Sequence, residues 1–323
     1  MVDSAERLVR IASRGSQLAL WQAESVRAQL IEAHSALRVE IAVVKTTGDK
    51  ILDVPLARIG DRGLFTKELD EAILAGRADL AVHSLKDVPT TLPDGLTLGA
   101  IGRRADPRDA LIGPLGGSAS LADLPPGARV GTSSLRRRAQ LRHVRPDIEV
   151  LDLRGNLNTR LRKLDAGEYD AVILAVAGVV RLGLADRISE RLDPPDWLPA
   201  VGQGALAIVA RAEDMELSEL LRAIHDPLTA DCVAAERALL RSLEGGCQIP
   251  IGALATQNDG QMRIDGLVAD IDGEHVLRGW ATGRANGAEA LGLELADILR
   301  NQGADAILRD IRGEPYSPGI PAP

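Results

Sequence analysis

The chain of 323 residues is poor in aromatic side chains, with three Trp, two Tyr and one Phe. Its cores must therefore be built from Ala, Val, Leu and Ile. Basic segments without interleaved aromatics also argue against binding of single-stranded nucleic acid, which needs stacking platforms. Cysteine is scarce too, because Cys232 and Cys247 are the only two. Two cysteines without an export signal favour a reducing cytoplasm over a disulfide framework.

Long apolar runs and cofactor signatures are missing as well. The longest apolar run, AVILAVAGVV, covers ten residues and is too short for a bilayer, which takes about 20. The N-terminal MVDSAERLVRIAS has no apolar run and is unlike a signal peptide. The five histidines lack metal-ligand spacing, so no metal is expected. GQG at 202–204 lacks the third glycine of a dinucleotide fingerprint.

The charge of the chain is negative overall, with one strongly basic segment. The formal net charge is −8. Between positions 136 and 163, nine Lys and Arg residues face three acids, so this segment carries +6 and the remainder −14. A basic segment in an acidic protein indicates a local anionic ligand rather than general attraction for nucleic acid.

Strand-like and helix-like segments alternate along most of the chain, which predicts an α/β fold class. An opening βαβ unit is predicted from RLVRIASR, SQLALWQAESVRAQLIEAH and RVEIAVVKT. The Gly- and Pro-rich stretch 113–127 is consistent with a domain boundary, and the apolar YDAVILAVAGV beyond it predicts a buried parallel strand. The tail predicts antiparallel strands in MRIDGLVADIDGEHVLRGWATG and a closing helix in AEALGLELADILRNQ. Two α/β domains and a smaller α+β domain are therefore expected.

Hydroxyl and basic side chains follow two strands of the second βαβ series. GTSSLRRR places them between a strand and a helix, and LRGNLNTR adds Arg154 and Arg160 at another strand end. Backbone N–H groups at a helix start, together with arginine forks, suit carboxylates or phosphates. The alternative is a capped helix with a solvated basic face. Strand ends of an open α/β sheet are the usual ligand site, which favours the anion cradle.

Another predicted strand ends in AVHSLKD, with four polar side chains that include Lys86 and Asp87. A carboxylate among basic groups at such a place can act as a general acid or base, or stabilise a developing cation. A surface pair of Lys86 and Asp87 is the competing interpretation. IASRGS supplies Arg14 and Ser16 at a third strand end.

Cys247 lies in LEGGCQIPIG, between a helix-like DCVAAERALLRSL and a strand-like IGALAT. Its neighbours Gly245, Gly246 and Pro250 are turn formers, which predicts a sulfur displayed in a loop rather than buried. The residues alone thus indicate a multidomain α/β protein that binds a small polycarboxylate or phosphate in an interdomain cleft. They do not name the reaction.

Six segments together resemble the porphobilinogen deaminase family, in order, from about residue 8 to 313. They are RIASRGSQLALWQ, GRADLAVHSLKDVPT, VGTSSLRRRAQL, LRGNLNTRLRKLDAGEYDAVILAVAGVVRLGL, PAVGQGALAI and LEGGCQIPIG. The family, also called hydroxymethylbilane synthase, joins four porphobilinogen molecules head to tail into hydroxymethylbilane and releases four ammonia, in tetrapyrrole biosynthesis. The resemblance implies the same transferase here. The alternative is a non-catalytic sensor or binding protein for an anionic metabolite, which would need neither Cys247 nor Asp87.

The resemblance also implies a dipyrromethane cofactor, assembled from substrate and held on Cys247 by a thioether. Asp87 takes the place of the family's catalytic aspartate, which hydrogen-bonds pyrrole N–H groups. The implied cofactor ligands are Ser84, Lys86, Thr132, Ser134, Arg136, Arg137 and Arg154. The implied substrate ligands are Arg14, Ser16, Phe65, Arg160, Arg181 and Gln203, together with Arg58 and Arg62, which stand where many relatives carry lysine.

Three domains are implied, of which the first two resemble periplasmic binding proteins. Their limits are 1–103 with 200–222 for domain 1, 104–199 for domain 2 and 223–323 for domain 3, where Cys247 lies. PAVGQGALAI would return the chain to domain 1. The family expectation is a cytoplasmic monomer that acts on the small molecule porphobilinogen, without nucleic acid or membrane.

Overall fold

The computed structural model describes residues 7–46, 66–117, 120–243 and 249–313. Over these residues the strands form three sheets, two of five strands and one of three. The parts of the chain around them are called domains 1, 2 and 3 below. No helix in the described ranges is long and apolar enough to cross a membrane.

Domain 1 is built on a mixed sheet in the strand order β2-β1-β3-β10-β4. Its strands are β1 (Leu8–Ser13), β2 (Arg38–Val43), β3 (Leu80–Ser84), β4 (Leu96–Ile101) and β10 (Leu206–Arg211). Its helices are α1 (Gln17–Ala33), α2 (Lys67–Leu74) and α6 (Met215–Leu221). β1 lies parallel to β2 and β3, which confirms the predicted βαβ opening. β10, the predicted return strand, lies antiparallel to β3 and β4.

Helices cover both faces of this first sheet. Val26 and Leu30 of α1 pack in the apolar cluster on one face. Leu69 and Ile73 of α2 pack in the cluster on the other. The buried members of both clusters are Ala, Val, Leu and Ile, as the scarcity of aromatic residues predicts. Burial of both faces leaves the strand ends as the place where polar groups can collect.

Domain 2 repeats this arrangement, with the strand order β7-β6-β8-β5-β9. Its strands are β5 (Asp109–Ile112), β6 (Arg129–Gly131), β7 (Glu149–Leu151), β8 (Ala171–Ala175) and β9 (Glu190–Leu192). Its helices are α3 (Leu135–Val144), α4 (Leu157–Asp165) and α5 (Val176–Arg181). β6 lies parallel to β7 and β8, whereas β5 lies antiparallel to β8 and β9. The two domains therefore share one topology.

Two predictions for domain 2 are wrong in detail. The apolar run YDAVILAVAGV is not one strand, because β8 ends at Ala175 and α5 begins at Val176. A run buried on all sides has no polar face to mark the change from strand to helix. The stretch 113–127 does not separate the first two domains either. It lies inside domain 2, because β5 precedes it and pairs with β8.

Domain 3 is a three-stranded antiparallel sheet with helices packed on it. Its elements are α7 (Pro227–Ser242), β11 (Ile251–Asn258), β12 (Gln261–Ala269), β13 (Val276–Arg284), α8 (Ala288–Asn301) and α9 (Ala304–Arg312). The predicted antiparallel strands are confirmed, but the predicted closing helix, α8, is followed by α9. α7 and α8 approach closely at Gly292, where a Cβ atom would lie 2.1 Å from the carbonyl oxygen of Ala235.

Glu236 of α7 connects domain 3 to both chain crossings between domains 1 and 2. Its side chain is fully buried. The carboxylate accepts hydrogen bonds from Arg104 at 2.6 and 3.1 Å, from the Gly202 N–H at 2.7 Å and from the Ala255 N–H at 2.8 Å. Four donors satisfy this buried charge, and they tie the three domains together where the site lies.

Candidate active site

The carboxyl ends of β1 and β3 border a pocket in domain 1. Its lining includes Arg14, Ser16, His83, Ser84 and Asp87. The two strands are parallel neighbours, so their carboxyl ends meet at one edge of the sheet. The structure thus brings together four residues that the sequence predicted for the site, and adds His83.

Hydrogen bonds hold the start of α1 at this pocket. The Ser16 hydroxyl caps α1 by accepting from the Ala19 N–H at 3.3 Å. The Gln22 side-chain amide donates to the Ser84 hydroxyl at 2.8 Å and so links α1 to the end of β3. Both serines therefore have structural contacts in addition to their place in the lining.

His83 is a pocket residue to which the sequence analysis assigned no role beyond the absence of metal-ligand spacing. Its side chain is buried, and Nε2 has no hydrogen-bond partner among the described residues. Burial and the charge of Arg14 lower the pKa of His83 to about 4. It is therefore a neutral imidazole near neutral pH. Its position at the end of β3, beside Ser84, was the available signal.

A 3₁₀ turn over Leu85–Asp87 follows β3 and presents two predicted site residues. The Asp87 side chain is exposed, whereas Lys86 is half-buried and donates from Nζ to Oε1 of Gln203 at 3.2 Å. Burial lowers the pKa of Lys86 to about 8; the charge of Arg137 adds to this effect and that of Asp87 opposes it. Lys86 is thus not one half of a solvated surface pair.

Gln203 lies in a tight turn that requires its two flanking glycines. Gly202 has φ of +70° and Gly204 has φ of +93°. A Cβ atom at Gly204 would lie 2.5 Å from the Ala105 carbonyl oxygen, closer than any side chain allows. The GQG stretch is therefore a turn that buries the Gln203 amide beside Lys86.

In domain 2 the predicted cradle begins with hydroxyl groups at the start of α3. Thr132 accepts the Ser134 N–H at 3.2 Å, and Ser134 caps α3 by accepting the Arg137 N–H at 3.5 Å. Arg136 and Arg137 are each only 5% exposed. The capped helix is confirmed, but a solvated basic face is wrong for these two arginines.

Asp109 at the start of β5 pairs with both of these arginines. Arg136 Nη1 lies 2.7 Å from Oδ2, and Arg137 Nη2 lies 2.7 Å from Oδ1. Burial alone would raise the pKa of Asp109, but the two arginine charges and their hydrogen bonds hold it far below its usual range. Sequence reasoning missed Asp109. The sequence pattern that could have identified it is an acid directly before the apolar ALI of β5, because a buried carboxylate requires a partner.

Arg160 and Arg154 extend the positive surface from α4 and the turn before it. Arg160 donates from Nε to the Gly155 carbonyl at 2.8 Å. Burial lowers the pKa of Arg160 to about 10; the charges of Arg137 and Arg154 add to this effect and that of Asp87 opposes it. The charge of Asp87, in domain 1, therefore acts on an arginine of domain 2.

Arg181 joins the two domains. Its Nη2 donates to the Gly204 carbonyl at 2.7 Å, and its guanidinium lies 5.7 Å from the ring centroid of Trp21 in α1. Burial lowers the pKa of Arg181 to about 10. This predicted substrate ligand makes its described contacts with the protein.

The site has an excess of positive charge and an unsatisfied buried donor. Arg137 Nε is buried without a hydrogen-bond partner among the described residues. Such a donor is costly unless a ligand accepts from it. An anionic, carboxylate-rich group therefore suits the surface formed by Arg136, Arg137, Arg154 and Arg160. In the described ranges no group of three His, Cys, Asp or Glu side chains could hold a metal ion.

Four predicted residues, Cys247, Phe65, Arg58 and Arg62, lie outside the described residues. The helix that precedes the cysteine segment can be located, however. Arg237 of α7 donates to the carbonyl oxygens of Val88 at 3.2 Å and Pro89 at 2.7 Å. α7 is thus fixed to the chain directly after Asp87.

These features define a three-domain, mainly α/β protein in which an exposed carboxylate of domain 1 and buried arginines of domain 2 border a site suited to an anionic ligand. Residues 9–219 match the family model for the porphobilinogen deaminase dipyrromethane cofactor binding domain. Residues 230–301 match that for the C-terminal domain of the same family. The chain belongs to the porphobilinogen deaminase family.

Relatives match over nearly their whole length. The porphobilinogen deaminase of Gloeobacter violaceus is 56% identical over 98% of this chain and 98% of its own. That of Syntrophobacter fumaroxidans is 53% identical over 95% of this chain and 98% of its own. The predicted enzyme is confirmed: a transferase of tetrapyrrole biosynthesis that makes hydroxymethylbilane from porphobilinogen with a dipyrromethane cofactor. A non-catalytic sensor is not favoured.

Solved structures outside the family show a weaker likeness. The periplasmic VFT2 domain of Bordetella pertussis BvgS has a TM-score of 0.42 and 18% identity, over 67% of this chain and 86% of its own. A putative periplasmic sulfonate-binding protein from Methylobacillus flagellatus has a TM-score of 0.38 and 15% identity, over 74% of this chain and 68% of its own. Scores this low support no conclusion about the chain. The predicted α/β fold class is confirmed by the arrangement of its own sheets.

Proposed function

We propose that Asp87, the cations around it and Cys247 carry out the family reaction in this chain. The observation that carries the proposal is the place of Asp87. Its exposed carboxylate lines the domain 1 pocket, and its charge acts on Lys86 of domain 1 and on Arg160 of domain 2. A positive charge that develops on a substrate between the two domains would therefore lie close to this carboxylate.

Asp87 stabilises the charge that develops on the substrate. Loss of ammonia from the aminomethyl group of porphobilinogen leaves a pyrrole with positive charge at its nitrogen. The Asp87 carboxylate accepts a hydrogen bond from that pyrrole N–H. Because the 3₁₀ turn fixes the backbone that carries the carboxylate, this group needs less reorganisation than water as the charge appears. A dipyrromethane bound at this site would supply a nucleophilic pyrrole carbon, which would lose its proton as the new carbon–carbon bond forms.

The cations bind the carboxylates of the pyrroles. Each pyrrole carries an acetate and a propionate, so a two-pyrrole group carries four negative charges. Against these stand seven cations, Arg14, Lys86, Arg136, Arg137, Arg154, Arg160 and Arg181, and two anions, Asp87 and Asp109, which leaves +5. The site therefore carries enough positive charge for the four carboxylates of a bound two-pyrrole group. The uncharged groups that complete the site are Ser16, Ser84, Thr132, Ser134 and Gln203.

Cys247 carries the cofactor through a thioether. In the sequence this cysteine follows Gly245 and Gly246, between the end of α7 at Ser242 and the start of β11 at Ile251. The contacts of Arg237 with the carbonyl oxygens of residues 88 and 89 support the assignment, because they fix α7 beside the turn that carries Asp87.

Intact mass in denaturant tests the attachment. The purified chain is expected to exceed the polypeptide mass by a two-pyrrole adduct, and Cys247→Ser is expected to have the bare mass. Cys232→Ser is the matched control. Cys232 is a free, buried thiol, and burial raises its pKa to about 11, so it is a poor nucleophile. An adduct that persists in Cys247→Ser would contradict the assignment.

The remaining expectations concern the whole molecule. The chain acts as a cytoplasmic monomer, with domain limits at 1–103 and 200–222, 104–199 and 223–323. The place of β10 in the first sheet supports the discontinuous domain 1. Phe65 stacks near the growing chain, and Arg58 and Arg62 bind its carboxylates. Gel filtration with light scattering measures the oligomeric state, and a dimer at micromolar concentration would contradict the monomer.

A further inference from the structure

The Asp109 carboxylate accepts more hydrogen bonds than are needed to begin a strand. Its carboxylate is fully buried. Oδ2 accepts from Arg136 Nη1 at 2.7 Å and from Trp197 Nε1 at 2.9 Å. Oδ1 accepts from Arg137 Nη2 at 2.7 Å and from Gln203 Nε2 at 2.8 Å. Charge-assisted bonds of this length fix the donors strongly.

The pairing leaves one buried positive charge in excess. A purely structural ion pair balances its charges, because an uncompensated buried charge is costly. Here two guanidinium groups share one carboxylate. Arg137 also donates from Nη1 to the Ile173 carbonyl at 2.9 Å, yet its Nε has no partner among the described residues. The cluster is thus arranged to receive a further anion.

Asp109 also sets the orientation of the Gln203 amide. Gln203 Nε2 donates to Asp109 and, at 2.7 Å, to the Pro107 carbonyl. Its oxygen then faces Lys86 Nζ at 3.2 Å. The opposite orientation would turn the amide NH₂ toward an ammonium group, and two donors cannot bond each other. One carboxylate therefore fixes two arginines of domain 2 directly and a lysine of domain 1 through one amide.

We propose that Asp109 is a positioning residue for cofactor binding: it holds Arg136, Arg137 and, through Gln203, Lys86 at fixed spacing for the carboxylates of the bound pyrroles. The proposal rests on the proposed function. Asp109 touches neither cofactor nor substrate in this role, because its four acceptor positions are taken by the protein.

The pKa of Lys86 is a measurable quantity that a purely structural role of Asp109 would not change. The groups whose charges act on it are Arg136, Arg137, Asp87 and Asp109, and Gln203 accepts from it. Asp109 raises the pKa of Lys86, whereas both arginines lower it. Removal of the Asp109 charge is therefore expected to lower the pKa of Lys86 below its present value of about 8.

The experiment follows two quantities in Asp109→Asn. Cofactor-free full-length protein, from a host that makes no porphobilinogen, is incubated with porphobilinogen and its intact mass is followed in denaturant. The pH midpoint for acylation of Lys86 by acetic anhydride is measured by peptide mass spectrometry. Adduct formation is expected to slow about tenfold or more, as when a group that orients a ligand-binding side chain is removed. The Lys86 midpoint is expected to fall.

Two controls separate positioning from stability. Trp197→Phe removes a neutral donor from the same carboxylate and keeps its charge. Asp170→Asn breaks a half-exposed pair with Arg129 elsewhere in domain 2. Both are expected to form the adduct within about twofold of the unaltered rate, with the Lys86 midpoint unchanged, because both keep the Asp109 charge that acts on Lys86.

The outcomes are distinguishable. Unaltered adduct formation and Lys86 midpoint in Asp109→Asn would overturn the proposal, and so would equal slowing in Trp197→Phe. If Asp109→Asn does not fold, Gln203→Met removes the link to Lys86 with similar volume, and unchanged values there would overturn it. An unaltered protein that forms no adduct contradicts the proposed function instead, while the Lys86 midpoint still tests the network.

Discussion

The two walls of the site are built differently. On the domain 1 side Asp87 is exposed and Lys86 is half-buried, both on one 3₁₀ turn. On the domain 2 side Arg136 and Arg137 are buried and share the fully buried Asp109. The charged groups of domain 1 are accessible to a ligand that enters the site, whereas those of domain 2 are held by protein contacts before a ligand binds.

The difference indicates a division of labour. A buried ion cluster resists rearrangement, because breaking it exposes an uncompensated charge to low dielectric. It suits a group that stays bound, such as the cofactor. An exposed carboxylate on a short turn suits successive substrates, which must enter and react in turn. The predictions below test this contrast.

The largest effect on stability is expected in the buried wall. Arg136→Met is expected to lower the free energy of unfolding by about 1–3 kcal/mol, since it removes the buried hydrogen bonds to Asp109 and to the Leu198 carbonyl. Arg129→Met, which breaks a half-exposed pair in the same domain, is expected to change the free energy of unfolding little, because solvent screens such a pair. Urea unfolding measures both. Similar losses would mean that the two walls do not differ in this respect.

The largest effect on turnover is expected in the exposed wall. Asp87→Asn is expected to lower kcat about 10²–10³-fold, since a charge stabiliser of the transition state is lost. Its melting temperature is expected to stay unchanged, because the side chain is exposed. Asp94→Asn, another exposed acid of domain 1, is the control. Asp87 would have no role in the reaction if both variants kept the unaltered rate.

The smallest effect is a dependence of stability on pH that comes from Lys86. Its folded pKa of about 8 lies below the ordinary value of 10.5. Between these values the unfolded chain binds more protons, so the contribution of Lys86 to stability rises with pH. Urea unfolding measures the free energy of unfolding of the cofactor-free protein and of its Lys86→Met variant. The difference between the two is expected to rise between pH 8 and 10. A difference that stays flat or falls would contradict the lowered pKa.

Much of the fold could be predicted from the sequence. The helix that follows GTSS was predicted because capping residues mark its start, and the antiparallel strands of domain 3 because alternating segments flank a turn. The junction of β8 and α5 was missed, since a fully buried run has no polar face to change period. β5 was missed because four residues are too few to show a period.

The site residues were predicted by type and by the family resemblance rather than by their environment. Arg136 and Arg137 were recognised as an anion-binding pair, but their burial and their pairing with Asp109 were not. Asp109 precedes them by 27 and 28 positions, and no local pattern records which strand will lie beside which helix. His83, by contrast, has a local signal at the end of β3, but its burial and the nearby charge of Arg14 depend on tertiary contacts.

The sequence by itself determined the family, the α/β class, the order of most elements and the chemistry of the residues at the strand ends, since these depend on local pattern and side-chain type. Only the tertiary structure decided which charges are buried, which are paired and which stay exposed. Burial and pairing depend on contacts between segments far apart in the chain, and those contacts form only when the sheets and helices pack.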